Sequence, residues 1–102
     1  MSQMAKETFC EYIRHLREEM NLPLRKVAAQ LDVDTSTLSK VERGERPISI
    51  DYLKPLSQIL KTDYKVLQIR FLADSIHANY GKLTYLEDGL SEVINQLKKN
   101  KK

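Results

Sequence analysis

Residues 24–44, LRKVAAQLDVDTSTLSKVERG, constrain the fold more than any other stretch of this 102-residue chain. Leu24, Val27, Ala28 and Leu31 fall at i, i+3, i+4 and i+7, which is one apolar face of a short helix. Asp32-Val33-Asp34 interrupts that period, and Asp34 suits an N-cap whose carboxylate accepts the amide of Thr37. A second short helix then turns Leu38 and Val41 inward and stops at Gly44, the residue best suited to a left-handed position past the last turn. Ala28 is small where the two helices must approach, and Val33 can plug the turn between them. The second helix is too polar to be core.

Its outward face reads Thr35, Ser36, Ser39, Lys40 and Arg43. Two helices joined by a tight turn, the second solvent-facing, form the helix-turn-helix plan. Short hydroxyls near the start and long cations near the end suit a helix lying N-terminus first in the major groove of DNA. VAAQLDVDTSTLSKVERGER resembles the Cro/repressor-type (xenobiotic-response-element) helix-turn-helix family, whose pattern runs roughly LAxxLGVSxSTISxIExG. The match covers Leu22 to about Leu60, with the hydrophobic positions, the small residue, the turn and the Glu-x-Gly ending in place. This resemblance implies a lambda-repressor-like bundle of short helices, all-α, reading duplex DNA. It also implies that Thr35 and Ser36 read bases and that Arg17 of the first helix pairs with Glu42; without it, Arg17 reads equally as a solvated surface cation. The sequence departs from the family at Leu24, where a Gln often opens the helix, at Asp32 for the turn glycine, and at Asp34 for the Ser or Thr cap. Two acidic groups near the turn repel phosphate and move weight onto Arg25, Lys26 and the cations of the reading helix.

The flanking sequence supplies the supporting helices. Thr8 and Glu11 make a capping box opening a first helix with Phe9, Ile13, Leu16 and Met20 buried. Asn21 can end it, and Pro23 starts the next. Ser49 caps a fourth helix that turns Leu53, Leu56 and Leu60 inward, and Pro55 predicts that it kinks or starts late. Thr62 or Asp63 caps a fifth, Tyr64 to about Tyr80, with one apolar stripe through Val66, Ile69, Ala73, Ile76 and Tyr80 and another through Tyr64, Leu67 and Phe71. Gly81 breaks it. Thr84 and Glu87 make a second capping box, and Leu83, Leu86, Leu90, Val93 and Leu97 step 3-4-3-4. That seam lasts about two heptads and contains Gly89, too short for a free-standing coiled coil. The expected division is a DNA-binding domain, 1–61, and a C-terminal helical oligomerisation segment, 62–102, ending in a basic tail.

Charge does not make the argument for DNA. The formal net charge is +3, yet residues 1–62 hold ten Lys/Arg against nine Asp/Glu, and the tail from Lys98 to Lys102 adds +4. The local face must carry it. Cys10 is the only cysteine, so an intrachain disulfide is impossible and no zinc cluster is expected. His15 and His77 are not at ligand spacing. No signal peptide, transmembrane-length run, phosphate-binding glycine loop or nucleophile elbow stands out. The expectation is a cytoplasmic, nucleoid-associated protein of bacterial or phage origin that is not an enzyme, with no cofactor, metal, membrane or small-molecule substrate.

The predicted function is a transcriptional regulator, a repressor acting by occlusion as a homodimer on a two-fold symmetric operator. Thr35, Ser36, Ser39 and Lys40 are the base-reading candidates, with guanine O6/N7 or a phosphate as alternatives for Lys40. Arg25, Lys26, Arg43 and Arg46 are the phosphate candidates, and Arg17 with Glu42 is assigned to scaffold. Val66, Ile69, Phe71, Ile76, Tyr80, Leu86, Leu90, Val93 and Leu97 form the expected dimer interface; the same arm folding back on its own domain is the other reading. A restriction–modification controller, an antitoxin, or a protein-interaction adaptor with a partner protein fits the same pattern.

Overall fold

The computed structural model describes residues 7–100, and every regular element in them is helical. The order is α1 (Phe9–Glu19), α2 (Leu24–Leu31), α3 (Thr35–Glu42), a single 3-10 turn (Ile50–Tyr52), α4 (Leu53–Ile59), α5 (Tyr64–Tyr80) and α6 (Leu86–Asn100). The all-α class holds. The predicted capping box opens α1: the Glu11 amide donates to Thr8 Oγ1 and the Thr8 amide to Glu11 Oε1, each at 3.1 Å. Pro55 sits in the first turn of α4, where its missing N–H has no partner to lose, and the 3-10 turn capped by Ser49 precedes it. This helix therefore starts late. Pro23 is the N-cap of α2, so the helix begins at Leu24, one position after the predicted start.

Four helix ends close in one way. Asn21, Asp32, Gly44 and Lys61 take left-handed φ of 57°, 59°, 76° and 54°. The next amide then reaches back five residues: Leu22 to the Arg17 carbonyl, Val33 to Ala28, Glu45 to Lys40 and Thr62 to Ser57, at 2.9–3.1 Å. Asp34 is a correction. Its backbone takes the N-cap conformation, but its carboxylate bonds no first-turn amide, being exposed and free to stay hydrated. α6 is another, because it begins at Leu86, inside the predicted Thr84–Glu87 box, so Thr84 lies outside the first turn.

The chain divides into two compact units, one running through Leu72 and the other beginning at Ala73. The first extends past the expected boundary at residue 61 because α5 contributes to its core. Leu67 is fully buried, and Phe71 stands edge-on to Phe9 with ring centroids 5.4 Å apart. Around them pack Ile13, Val27, Leu38, Leu53 and Leu56 from the other four helices of the unit. Arg70 lays its guanidinium 4.0 Å over the Tyr12 ring. Its buried Nε and Nη2 take no hydrogen bond, and the ring face supplies the compensating field. No helix among the described residues is long and apolar enough to cross a membrane.

Candidate nucleic-acid interface

α3 is held by its inner face. Leu38, Val41 and Glu42 are buried there, and at 100° per residue this leaves Ser36, Ser39, Lys40 and Arg43 outward, with Thr35 open to solvent at the helix start. All of these are exposed except half-buried Ser39. Thr37 lies between the two faces and is half-buried, with Val33 from the turn packed against the core.

The far end of α3 is tied to α1 through charge. Arg17 Nε donates to Glu42 Oε2 at 2.7 Å and Nη2 to Oε1 at 3.0 Å, while Nη1 donates to the Leu22 carbonyl at 2.8 Å. Glu42 is only 6% exposed, so the guanidinium is what makes a carboxylate tolerable there. The hydrogen bond to Glu42 raises the Arg17 pKa further, against the opposing effect of burial. One guanidinium thus fixes α3, α1 and the loop that enters α2.

The predicted cations fall into three groups. Lys40 and Arg43 share the outer face of α3. Arg25 and Lys26 are exposed in the first turn of α2. Arg46 is elsewhere: with Asp32, Asp34, Thr37 and Ile48 it lines a half-open cleft of about 440 Å³ on the side of α3 that carries Thr37 and Val41. The two acidic turn residues therefore share a cleft with one of the four phosphate candidates and leave the Ser39–Arg43 ridge clear.

Sequence reasoning missed Glu45. Its carboxylate accepts from Arg43 Nε at 3.0 Å and from Nη2 at 3.2 Å, while Arg43 Nη1 donates to Ser39 Oγ. The signal was present as a Glu two residues past Arg43, across the glycine that reverses the chain. His15 pairs with Glu7 on the surface of the first unit. Among the described residues no three His, Cys, Asp or Glu side chains are placed to hold a metal ion.

Residues 13–67, spanning α1 through the start of α5, match the helix-turn-helix family. The chain belongs to that family. This helix-turn-helix protein is also similar, at 36% identity over 59 residues, to two uncharacterized HTH-type transcriptional regulators of Mycobacterium tuberculosis, from strains CDC 1551 and H37Rv. The similarity covers 58% of this chain and 42% of each relative, so the chain spans less than half the length of the relatives it matches. No solved structure matches it.

Proposed function

We propose that this helix-turn-helix protein is a sequence-specific, DNA-binding transcriptional regulator that binds a two-fold symmetric operator as a homodimer and represses by occlusion. The observation that carries this reading is the outer face of α3, which presents hydroxyls and cations to solvent while its inner face is locked by Leu38, Val41 and the Arg17–Glu42 pair. Thr35, Ser36, Ser39 and Lys40 read base edges in the major groove. Arg25, Lys26 and Arg46 approach phosphates, and each such contact contributes about 0.9 to the salt slope of binding. The HTH-type regulators it resembles support the same role.

Dimerisation follows from what one reading helix can do. A single α3 contacts few base pairs, and two-fold pairing sets two of them about 34 Å apart, one turn of DNA. Val66, Ile69, Ile76, Tyr80, Leu86, Leu90, Val93 and Leu97 are the surface offered for that pairing; Ile69 is 54% and Leu97 57% exposed. Phe71 contributes only its outer edge, because its other side meets Phe9.

Mobility shift against genomic fragments tests the reading. A regulator gives a sequence-dependent shift that Lys40→Ala weakens, and a dimeric mass by light scattering at micromolar concentration. No fragment preference, or a monomer under those conditions, would remove it. A protein-interaction adaptor is the second reading, favoured by the exposed apolar face of α6, and it gives no shift.

A further inference from the structure

At the end of α3 three side chains form a relay. Arg43 folds back over the preceding turn so that its guanidinium lies against Ser39, not beyond the helix end, with Nη1 donating to Ser39 Oγ at 2.5 Å. Glu45 holds it there in a two-point fork, Nε to Oε2 at 3.0 Å and Nη2 to Oε1 at 3.2 Å. Arg43 and Glu45 are half exposed, and an ordinary exposed ion pair adds little. Two features set this one apart. The fork is bidentate, which fixes direction as well as distance. The backbone of Glu45 is also fixed, its amide donating to the Lys40 carbonyl at 2.9 Å across the left-handed turn at Gly44. The Arg43 hydrogen bonds, then its charge, hold the Glu45 carboxyl below its usual range, with Lys40 adding a weaker pull.

The hydrogen-bonding capacity of this relay is one-sided. A guanidinium has five N–H groups; three are engaged, leaving one on each terminal nitrogen. Ser39 Oγ receives Arg43, so the Ser39 hydrogen must point away from it. The ridge between Ser39 and Arg43 therefore offers donors, while the acceptor oxygens of Glu45 are turned to Arg43. In the major groove guanine presents two neighbouring acceptors, N7 and O6, whereas adenine and cytosine place an amino donor at the groove edge and thymine a methyl beside its single acceptor.

We propose that Glu45 is a specificity-determining positioning residue: by holding Arg43 over Ser39 it makes a guanine-selecting donor edge out of a cation that would otherwise seek phosphate. The assignment rests on the DNA-binding reading above and sharpens it to one base. Released from Glu45, the Arg43 side chain reaches the nearest phosphate, so sequence-independent binding strengthens while discrimination falls.

The test is selection of bound duplexes from a randomised pool by the full chain, comparing wild type with Glu45→Gln, Ser39→Ala and Arg43→Lys, alongside affinity for a non-cognate duplex. Wild type is expected to require guanine at one position of each half-site. Glu45→Gln relaxes that position alone, raises non-cognate affinity by up to about tenfold at roughly 0.1 M salt, the size of one added phosphate contact, and leaves the melting temperature unchanged. Arg43→Lys keeps the charge but loses the fork, and Ser39→Ala loses the hydroxyl; both relax the same position. Unchanged base preferences in Glu45→Gln would overturn the role of Glu45 while leaving DNA binding standing. A wild-type chain that selects no sequence would overturn both.

Discussion

The two units of this chain are built from similar apolar residues at helical spacing and end in opposite conditions. In the first, Ile13, Leu38, Leu53, Leu56 and Leu67 are each no more than 1% exposed. In the second, no described apolar side chain is fully buried, and Val93, Ile94 and Leu97 are 48–57% exposed. α5 belongs to both, with Leu67 sealed near one end and Tyr80 half open at the other. A helical period shows which residues share a face. Whether that face closes depends on how many other faces the same chain brings to it, and one helix beyond α5 brings too few.

The contrast breaks hardest at Arg17. Arg17→Ala leaves the Glu42 carboxylate buried without a partner and should lower the stability of the first unit by about 3–5 kcal/mol, read by thermal denaturation. Replacing both, Arg17→Met with Glu42→Leu, should recover most of the loss, because no charge is then left buried. Next comes a matched pair of leucines. Leu53→Ala opens a cavity in the closed core and should remove about 2–5 kcal/mol. Leu97→Ala, on an exposed face, should leave amide exchange in α1–α4 unchanged and weaken the proposed dimer, read as a lower mass by light scattering. Equal effects of the two on α1–α4 exchange would mean that the units are not energetically distinct.

What the sequence made legible follows the same line. The helix-turn-helix stretch could be read because its signals are local: the spacing of Leu24, Val27, Ala28 and Leu31, the Thr8–Glu11 box, and Gly44 at a left-handed turn. Pro55 likewise announced a late helix start. Two failures were failures of rotamer and register. Asp34 has the right backbone for a cap but a side chain that prefers solvent, and Thr84 sits two residues short of where α6 begins. That the first compact unit runs on through Leu72 was not legible, because Phe71 packs against Phe9 across more than fifty residues, which no local pattern encodes. Glu45 was overlooked in the candidate site because it follows the helix, and its role appears only once Gly44 has turned the chain back on Arg43.

Among the four helix ends the smallest effects should have opposite signs. Gly44 has φ of +76° with nothing within 4 Å of where a Cβ would stand, so Gly44→Ala meets no clash and its effect is purely conformational. It should lower stability by about 1 kcal/mol. Lys61 occupies the same conformation, φ 54°, as a residue with a Cβ, and a left-handed non-glycine residue carries strain of roughly 1–2 kcal/mol. Lys61→Gly relieves that strain but frees the unfolded chain, which offsets about half of it, leaving a gain of about 0.5–1 kcal/mol. Denaturant melts of the two variants should therefore move in opposite directions. A loss for both would mean that Lys61 is held by more than its backbone, and that the shared closure of these helix ends is geometric without being energetic.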